Sequence, residues 1–199
     1  MNDKALFKIT YGLYVLTAKE GDKDNGCIIN TLQQVTNTPN RIAVTVNKQN
    51  YTHDMIKRTG EFNVSMIDET AKFDLFKNFG FQSGKDVNKL EGINAKRADN
   101  GITFILDGTS AFIGGKVIKE VDLGSHTMFI ADVTAMEVLS DVNSVTYGFY
   151  QANIKPAPET KKKGWVCKIC GYVYEGDPLP EDFICPICKH GAVDFEKIV

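Results

Sequence analysis

Four cysteines near the end of the chain are the residues whose types and spacing most directly predict chemistry. They form two C-x2-C pairs separated by 14 residues: Cys167, Cys170, Cys185 and Cys188. Each short loop brings two thiolates to one ion, and two loops complete a tetrahedron. Thiolates are soft donors, so the spacing predicts an iron or zinc site without choosing between the two metals. The fifth cysteine, Cys27, has no second cysteine near it and is interpreted as a small core residue.

The residues around the cysteines resemble rubredoxin, through C-G-Y-V-Y-E-G-D at 170–177 and C-P-I-C at 185–188. The resemblance implies one iron held by four thiolates and carrying one electron, with a structural zinc knuckle as the alternative. It also implies a shell of aromatic side chains: Trp165, Tyr172, Tyr174, Phe183 and Phe195. The sequence departs from ordinary rubredoxins in two ways. The segment between the cysteine pairs is shorter, as in rubrerythrin-like tails, and Lys189 stands where glycine is usual.

Three polar clusters lie earlier in the chain, two of them after an apolar run and the third just before one. Their members are Asn30, Thr31, Leu32, Gln33 and Gln34; then Asn47, Lys48, Asn50, Tyr51 and Thr52; then Ser125 and His126. The second cluster follows a strand and opens a predicted helix, where backbone N–H groups and Lys48 suit a phosphate group. Taken alone, each cluster looks like an ordinary polar turn between strands.

Together and in this order, the clusters resemble the flavin-reductase-like, FMN-binding split-barrel family. The segments 83–89 (SGKDVNK) and 146–150 (TYGFY) belong to the same resemblance. It implies a homodimer that binds FMN without a Rossmann motif, with the segment 30–34 along the isoalloxazine and ribityl groups. It places Lys48, Asn50 and Thr52 near the phosphate and His126 beside the nicotinamide or flavin face. Gln33 and Gln34 replace the small residues that many members of the family have there.

The elements that position these residues are predicted to be mostly strands. Predicted strands cover 42–46, 61–67, 102–106, 111–121 and 127–139, and short helices cover 51–59 and 70–78. Gly114 and Gly115, inside one strand, predict a bulge or a sharp bend. Many strands and few helices favour a mainly β split barrel, and no G-x-G-x-x-G motif follows a strand, which argues against a Rossmann site.

A change of composition divides the chain. The segment 155–164 contains two prolines, four lysines and no large apolar residue, so it is interpreted as a linker. Before it, residues 1–154 suffice for one sizeable core. After it, residues 165–199 are too few to form a stable core without a metal site or a covalent cross-link, and the four cysteines supply the metal site. Three lysines and six acidic residues give this small domain a charge of -3.

Overall composition excludes several classes of protein. The chain of 199 residues is 43% hydrophobic and has a net charge of -2. It therefore has too many apolar residues for a disordered chain and no cationic excess for binding nucleic acid through bulk charge. No apolar run is long enough to span a membrane, and the first residues do not resemble a secretion signal, so we expect a cytoplasmic protein.

The combination of the two halves resembles the high molecular weight rubredoxins. This resemblance implies an NADH-oxidising electron shuttle that supplies a flavodiiron protein, which reduces nitric oxide or dioxygen. NADH donates two electrons together and an iron–thiolate centre accepts one, so FMN would be the converter. Two alternatives stay open: a flavin protein reduced by a separate reductase, with the tail as a docking module, and a reductase that releases reduced flavin to a monooxygenase. The sequence does not choose between NADH and NADPH.

Overall fold

Antiparallel strands make up most of the chain in a computed structural model, which describes residues 3–156 and 164–198. The strands before the predicted linker are β1 (Tyr14–Glu20), β2 (Lys23–Ile29), β3 (Leu32–Asn37), β4 (Asn40–Asn47), β5 (Glu61–Ile67), β6 (Ala95–Arg97), β7 (Thr103–Ile105), β8 (Thr109–Asp122) and β9 (His126–Val138). Seven of them form one sheet in the order β2-β1-β5-β8-β9-β4-β3, with every neighbouring pair antiparallel. The predicted mainly β, split-barrel fold class is confirmed.

The five predicted strands are all present, and 61–67 has the predicted bounds as β5. The others differ by one or two residues at either end. The predicted irregularity is also present, because the register of β8 against β9 shifts between Gly114 and Gly115. A Cβ atom on Gly115 would lie 2.7 Å from the Phe62 ring, so only glycine allows the backbone to approach the core this closely.

Two clusters of buried side chains lie against the sheet. One contains Leu16, Phe62 and Phe129 and is covered by Met55 and Ile56 of helix α1 (Tyr51–Thr59). The other gathers around Phe76 and Phe79 of helix α2 (Phe73–Gly80). Each fully buried side chain of this size contributes about 1.5–3 kcal/mol of stability by leaving water. The two helices therefore stabilise the sheet around the polar clusters.

The first helix has its predicted bounds and ends where Gly60 adopts the left-handed conformation, with φ 73°. The second covers Phe73–Gly80 instead of the predicted 70–78, so it begins three residues later and ends two residues later. Asp68 explains the later start, because its Oδ1 accepts hydrogen bonds from the Thr70 amide (2.8 Å) and hydroxyl (2.6 Å). This Asx turn competes with the first helical turn. A further short helix, α3 (Tyr147–Phe149), continues into a π turn over Tyr150–Ile154.

The last part of the chain forms a separate three-stranded sheet. Its strands are β10 (Gly164–Cys167), β11 (Val173–Tyr174) and β12 (Phe195–Ile198), in the order β11-β10-β12. Most of the predicted linker, residues 157–163, lies outside the described residues, so the domain division at 155–164 stays a prediction. Within the described ranges, no helix is both long and apolar enough to cross a membrane.

Candidate functional site

The four predicted metal ligands come together at one point of the tail. All four Sγ atoms lie within 4.8 Å of one another. The Sγ atoms of Cys167 and Cys188 are 3.6 Å apart, and those of Cys170 and Cys185 are 3.5 Å apart. A tetrahedral ion with bonds of about 2.3 Å to sulfur needs sulfurs about 3.8 Å apart. The spacing therefore fits a single four-coordinate iron or zinc ion.

The ionisation of the thiols supports the same conclusion. Hydrogen bonds, first from Cys170 and next from Cys188, lower the pKa of the Cys167 thiol. Donating a hydrogen bond to Cys167 raises the pKa of Cys170 to about 12, and it raises the pKa of Cys188 as well. The Cys167 thiolate forms readily, and its negative charge makes deprotonation of the neighbouring thiols less favourable. Four thiolates at this spacing therefore need a cation among them, which is the role of a resident metal.

Aromatic side chains enclose the cysteines as the resemblance implies. Cys167 and Cys185 are fully buried, whereas Cys170 and Cys188 are half-buried. The surrounding apolar cluster includes all five predicted aromatics, Trp165, Tyr172, Tyr174, Phe183 and Phe195. Phe183 lies at its centre, 4.7 Å from Tyr174 and 5.3 Å from Phe195 between ring centroids. Such a shell limits access of water to one side of the metal site.

The two cysteine loops share one backbone geometry. In each, the residue after the second cysteine has positive φ and donates its amide to the first cysteine's carbonyl. Gly171 has φ 80°, and its amide nitrogen lies 2.8 Å from the Cys167 carbonyl oxygen. Lys189 has φ 63°, and its amide nitrogen lies 2.9 Å from the Cys185 carbonyl oxygen. Lys189 is thus a non-glycine residue held in the left-handed region. This is the position at which the sequence departs from the glycine usual in rubredoxins.

This geometry gives a matched pair of stability predictions. Gly171→Ala places a Cβ in open space, so its cost is the left-handed backbone alone, about 1 kcal/mol. Lys189→Gly relieves the same strain, but glycine also has more conformational freedom in the unfolded chain. The free energy of unfolding should therefore rise by less than about 1 kcal/mol. Guanidinium-induced release of bound metal from the full chain measures both changes. Equal destabilisation by the two substitutions would contradict this account.

The polar clusters also come together, through the pairing of β4 with its neighbours. Asn47 lies opposite His126 in the β4–β9 register, and the Lys48 amide donates to the Ser125 carbonyl at 3.0 Å. On the other side of β4, the Thr31 hydroxyl donates to the Thr45 carbonyl at 2.6 Å. Three turns that are far apart in sequence therefore meet at one end of the sheet.

A cavity of about 370 Å³ lies where the clusters meet. Five predicted site residues line it: Asn30, Thr31, Asn47, Asn50 and His126. Its volume and its mixture of apolar walls with a few polar groups are typical of a small-molecule or cofactor site. The Asn50 side chain makes no capping hydrogen bond at the start of α1, so its amide is available to a ligand. The cavity is thus large enough for a small cofactor and presents polar side chains to it.

The other predicted flavin contacts lie outside this cavity lining. Gln33 and Gln34 are exposed on β3, an edge strand, and Leu32 packs partly against the core. Lys48 forms an ion pair with Asp122 at 2.7 Å. Nothing in this geometry assigns these residues to a ligand, so their roles stay predictions.

Tyr51 and Thr52 lie on the first turn of α1, directly after Asn50 of the cavity lining. Two lysine ammonium groups lie over the Tyr51 ring, with Lys23 Nζ at 4.8 Å and Lys85 Nζ at 5.8 Å from the ring centroid. Thr52 is fully buried and accepts a hydrogen bond from Asn25 Nδ2 at 2.9 Å. The helix start and the two lysines are groups that bind phosphate, although Asp22, Asp24 and Asp86 line the same surface as the lysines. The segment 83–89, noted in the sequence, supplies Lys85.

His126 is held in a defined orientation beside Asn47. Its Nδ1 lies 2.8 Å from the Ser125 hydroxyl. Burial lowers the pKa of His126, and the nearby imidazoles of His190 and His53 lower it further. The ring is therefore neutral at pH 7. A neutral imidazole in a cavity wall can contact a flat aromatic ligand without adding charge to it.

Sequence reasoning missed that the tail completes the cavity. Ile169, Cys188 and His190 line it from the two cysteine loops of the tail, and Tyr147 and Tyr150 line it from the end of the first domain. No signal in the sequence indicates this contact, because it depends on how two separately folded segments meet. The metal site and the candidate flavin site consequently share one wall.

Both segments match known families. Residues 6–158 match the family described as "Flavin reductase like domain", and residues 165–196 match "Rubrerythrin, rubredoxin-like domain". A high molecular weight rubredoxin of Moorella thermoacetica is 38% identical over 229 residues, which cover all of both chains. A ferric-chelate reductase (NAD(P)H) of Archaeoglobus fulgidus is 36% identical over 75% of this chain and 89% of its own. Among solved structures, an FMN-binding protein from Thermus thermophilus superimposes with a TM-score of 0.60 over 66% of this chain and 73% of that one, at 21% identity.

Proposed function

The chain belongs to the high molecular weight rubredoxins and is an oxidoreductase, and we propose that it passes electrons from NADH through FMN to an iron centre and on to an external acceptor. The observation that carries this proposal is the shared cavity. Its lining combines His126 and Asn50 of the flavin reductase-like domain with Cys188 of the rubredoxin-like domain. A chain built for either reaction alone would not need this juxtaposition.

The residues present fit both groups. In the cavity, Asn30, Asn47 and Asn50 would hold the flavin by side-chain and backbone hydrogen bonds, and the start of α1 would take the phosphate. In the tail, the four cysteines would hold the metal. A bound flavin supplies the conversion of a two-electron donor into single-electron steps. The protein's own residues orient the reactants, exclude water and fix the distance between the two centres.

The acceptor would meet the tail on its exposed face. Acidic residues there, including Glu181 and Asp182, are exposed, whereas Asp177 is paired with Lys197 at 2.8 Å. A basic patch on a partner would be attracted to this surface, most strongly at low salt. We propose a flavodiiron-type nitric oxide or oxygen reductase as this partner, and a cytoplasmic homodimer as the working form of the chain.

Anaerobic addition of NADH to the purified, fully loaded chain tests this function. The flavin absorption should bleach first, and the red ferric-thiolate absorption should follow in the same sample. One FMN accepts two electrons and one iron centre accepts one, so complete reduction of both groups should consume three NADH for every two chains. Metal analysis of the same sample should give one iron per chain.

Three results would contradict the proposal, each in a different way. Stoichiometric zinc would make the tail structural. A flavin that NADH does not bleach, but that a separate reductase does, would favour the electron-transfer protein without its own nicotinamide reaction. Iron that stays oxidised while NADH is consumed would favour release of reduced flavin. A parallel titration with NADPH establishes the nicotinamide preference.

A further inference from the structure

Lys155 connects the two domains at the cavity that they share. Its Nζ donates hydrogen bonds to two backbone carbonyls of the first cysteine loop, Lys168 O and Ile169 O, each at 2.9 Å. These carbonyls lie between the metal ligands Cys167 and Cys170. The side chain is half-buried in this contact, although it begins the segment that the sequence predicted to be a linker.

The backbone of Lys155 is fixed to the other domain. Its amide donates to the Tyr150 carbonyl at 2.8 Å, at the end of the π turn. Tyr150 is itself anchored, since its side chain is 5% exposed and its ring lies 4.5 Å from that of Phe76. Both Tyr150 and Phe76 line the cavity. One residue thus joins the wall of the flavin site to the loop that carries two metal ligands.

The charge of Lys155 suits its position. An ammonium group has three donors and no acceptor, so it can bind both carbonyls at once. Burial lowers the pKa of Lys155, while Cys170, Cys167 and Cys188, as thiolates, raise it. A cationic side chain beside an anionic iron–thiolate centre therefore favours the docked arrangement beyond its two hydrogen bonds.

We propose that Lys155 is a positioning residue that holds the rubredoxin-like domain at the mouth of the flavin cavity, with Cys188 as the ligand that faces the flavin. This inference rests on the proposed function, because it concerns electron transfer between the two centres. Electrons would then pass within the docked chain, and the segment after Lys155 would not need to move the domain between sites. Among the described residues, Cys188 is the one metal ligand that lines the cavity, as expected for a tail docked in this orientation.

Lys155→Met and Lys168→Met form a matched pair for the test. Both remove one positive charge near the metal, but Lys168 Nζ binds Val193 O at 3.3 Å within the tail itself. Stopped-flow mixing of the loaded full chain with NADH separates bleaching of the flavin from reduction of the iron. Lys155→Met should leave bleaching unchanged and slow iron reduction by about tenfold, because two charge-assisted hydrogen bonds are lost. Lys168→Met should keep both rates, and Lys155→Arg, which retains donors, should recover part of the loss.

A second measurement does not depend on turnover. Small-angle X-ray scattering of the full chain should show a larger radius of gyration for Lys155→Met than for Lys168→Met or the unmodified chain. Iron reduction at the unmodified rate in Lys155→Met, an equal loss in both variants, or identical scattering of the two would overturn the proposal. If NADH bleaches no flavin in the unmodified chain, the proposed function fails, and the scattering result still decides whether Lys155 docks the tail.

Discussion

Cys185→Ala should eliminate the ferric-thiolate absorption and the bound iron while NADH continues to bleach the flavin at the unmodified rate. Cys185 is fully buried and its Sγ lies 3.5 Å from that of Cys170, so no nearby solvent replaces the lost ligand. We expect metal affinity to fall by at least about 100-fold, because metal binding also stabilises the fold of so small a domain. Electron delivery to any external acceptor should fall to the background rate.

The lone cysteine provides the matched control. Cys27 is also buried, and burial raises the pKa of its thiol, so it stays protonated within β2. Cys27→Ala removes a thiol of the same size from the other domain and should leave iron content and iron reduction unchanged. Loss of flavin bleaching in Cys185→Ala, to the same extent as loss of iron reduction, would show that the two reactions do not occur in sequence. Iron content, visible absorption and NADH consumption, measured on one preparation, distinguish these results.

The metal site was predictable from sequence because its geometry is local. Two residues between cysteines fix each loop, and positive φ at 171 and 189 follows from how a loop of that length closes. The only tertiary requirement is that two such loops face each other. The first strands were harder to predict, since β2 contains Asp24, Asn25 and Gly26 in the order D-N-G, which is typical of a turn. Pairing with β1 over its whole length overrides that local preference.

The flavin cavity was predictable only in part. The turn before α1 and His126 were found because polar residues at strand ends are visible in the sequence. The exposure of Gln33 and Gln34 could not be predicted, because it depends on β3 lying at the edge of the sheet. That His190 and Cys188 line the cavity could not be predicted either. The sequence predicts a linker at 155–164, and a linker does not indicate a contact between the two domains. Lys155, a charged residue in that segment, proved to be a contact between domains.

His126→Ala should slow bleaching of the flavin by NADH about 10-fold to 100-fold, an effect typical of lost positioning at a reacting centre. His126 lies in the cavity wall beside Asn47 and is oriented by the Ser125 hydroxyl at 2.8 Å. If His126 positions the nicotinamide, His126→Ala should lower the maximum rate of bleaching and raise the NADH concentration that gives half of that rate. Ser125→Ala, which removes only the orienting bond, should cause a smaller loss of about threefold.

The pH dependence separates this role from a structural one. Because burial, and next His190 and His53, lower the pKa of His126, the ring gains its proton only on the acid side of its ordinary range. The bleaching rate should therefore be constant around pH 7 and fall as the pH drops through that lowered pKa, since the protonated ring brings charge into a partly apolar wall. His126→Gln keeps a polar side chain of similar length but cannot titrate, so its lower rate should not show this fall. A fall of equal size in His126→Gln would assign the titration to another group, and an unchanged rate in both variants would remove His126 from the site.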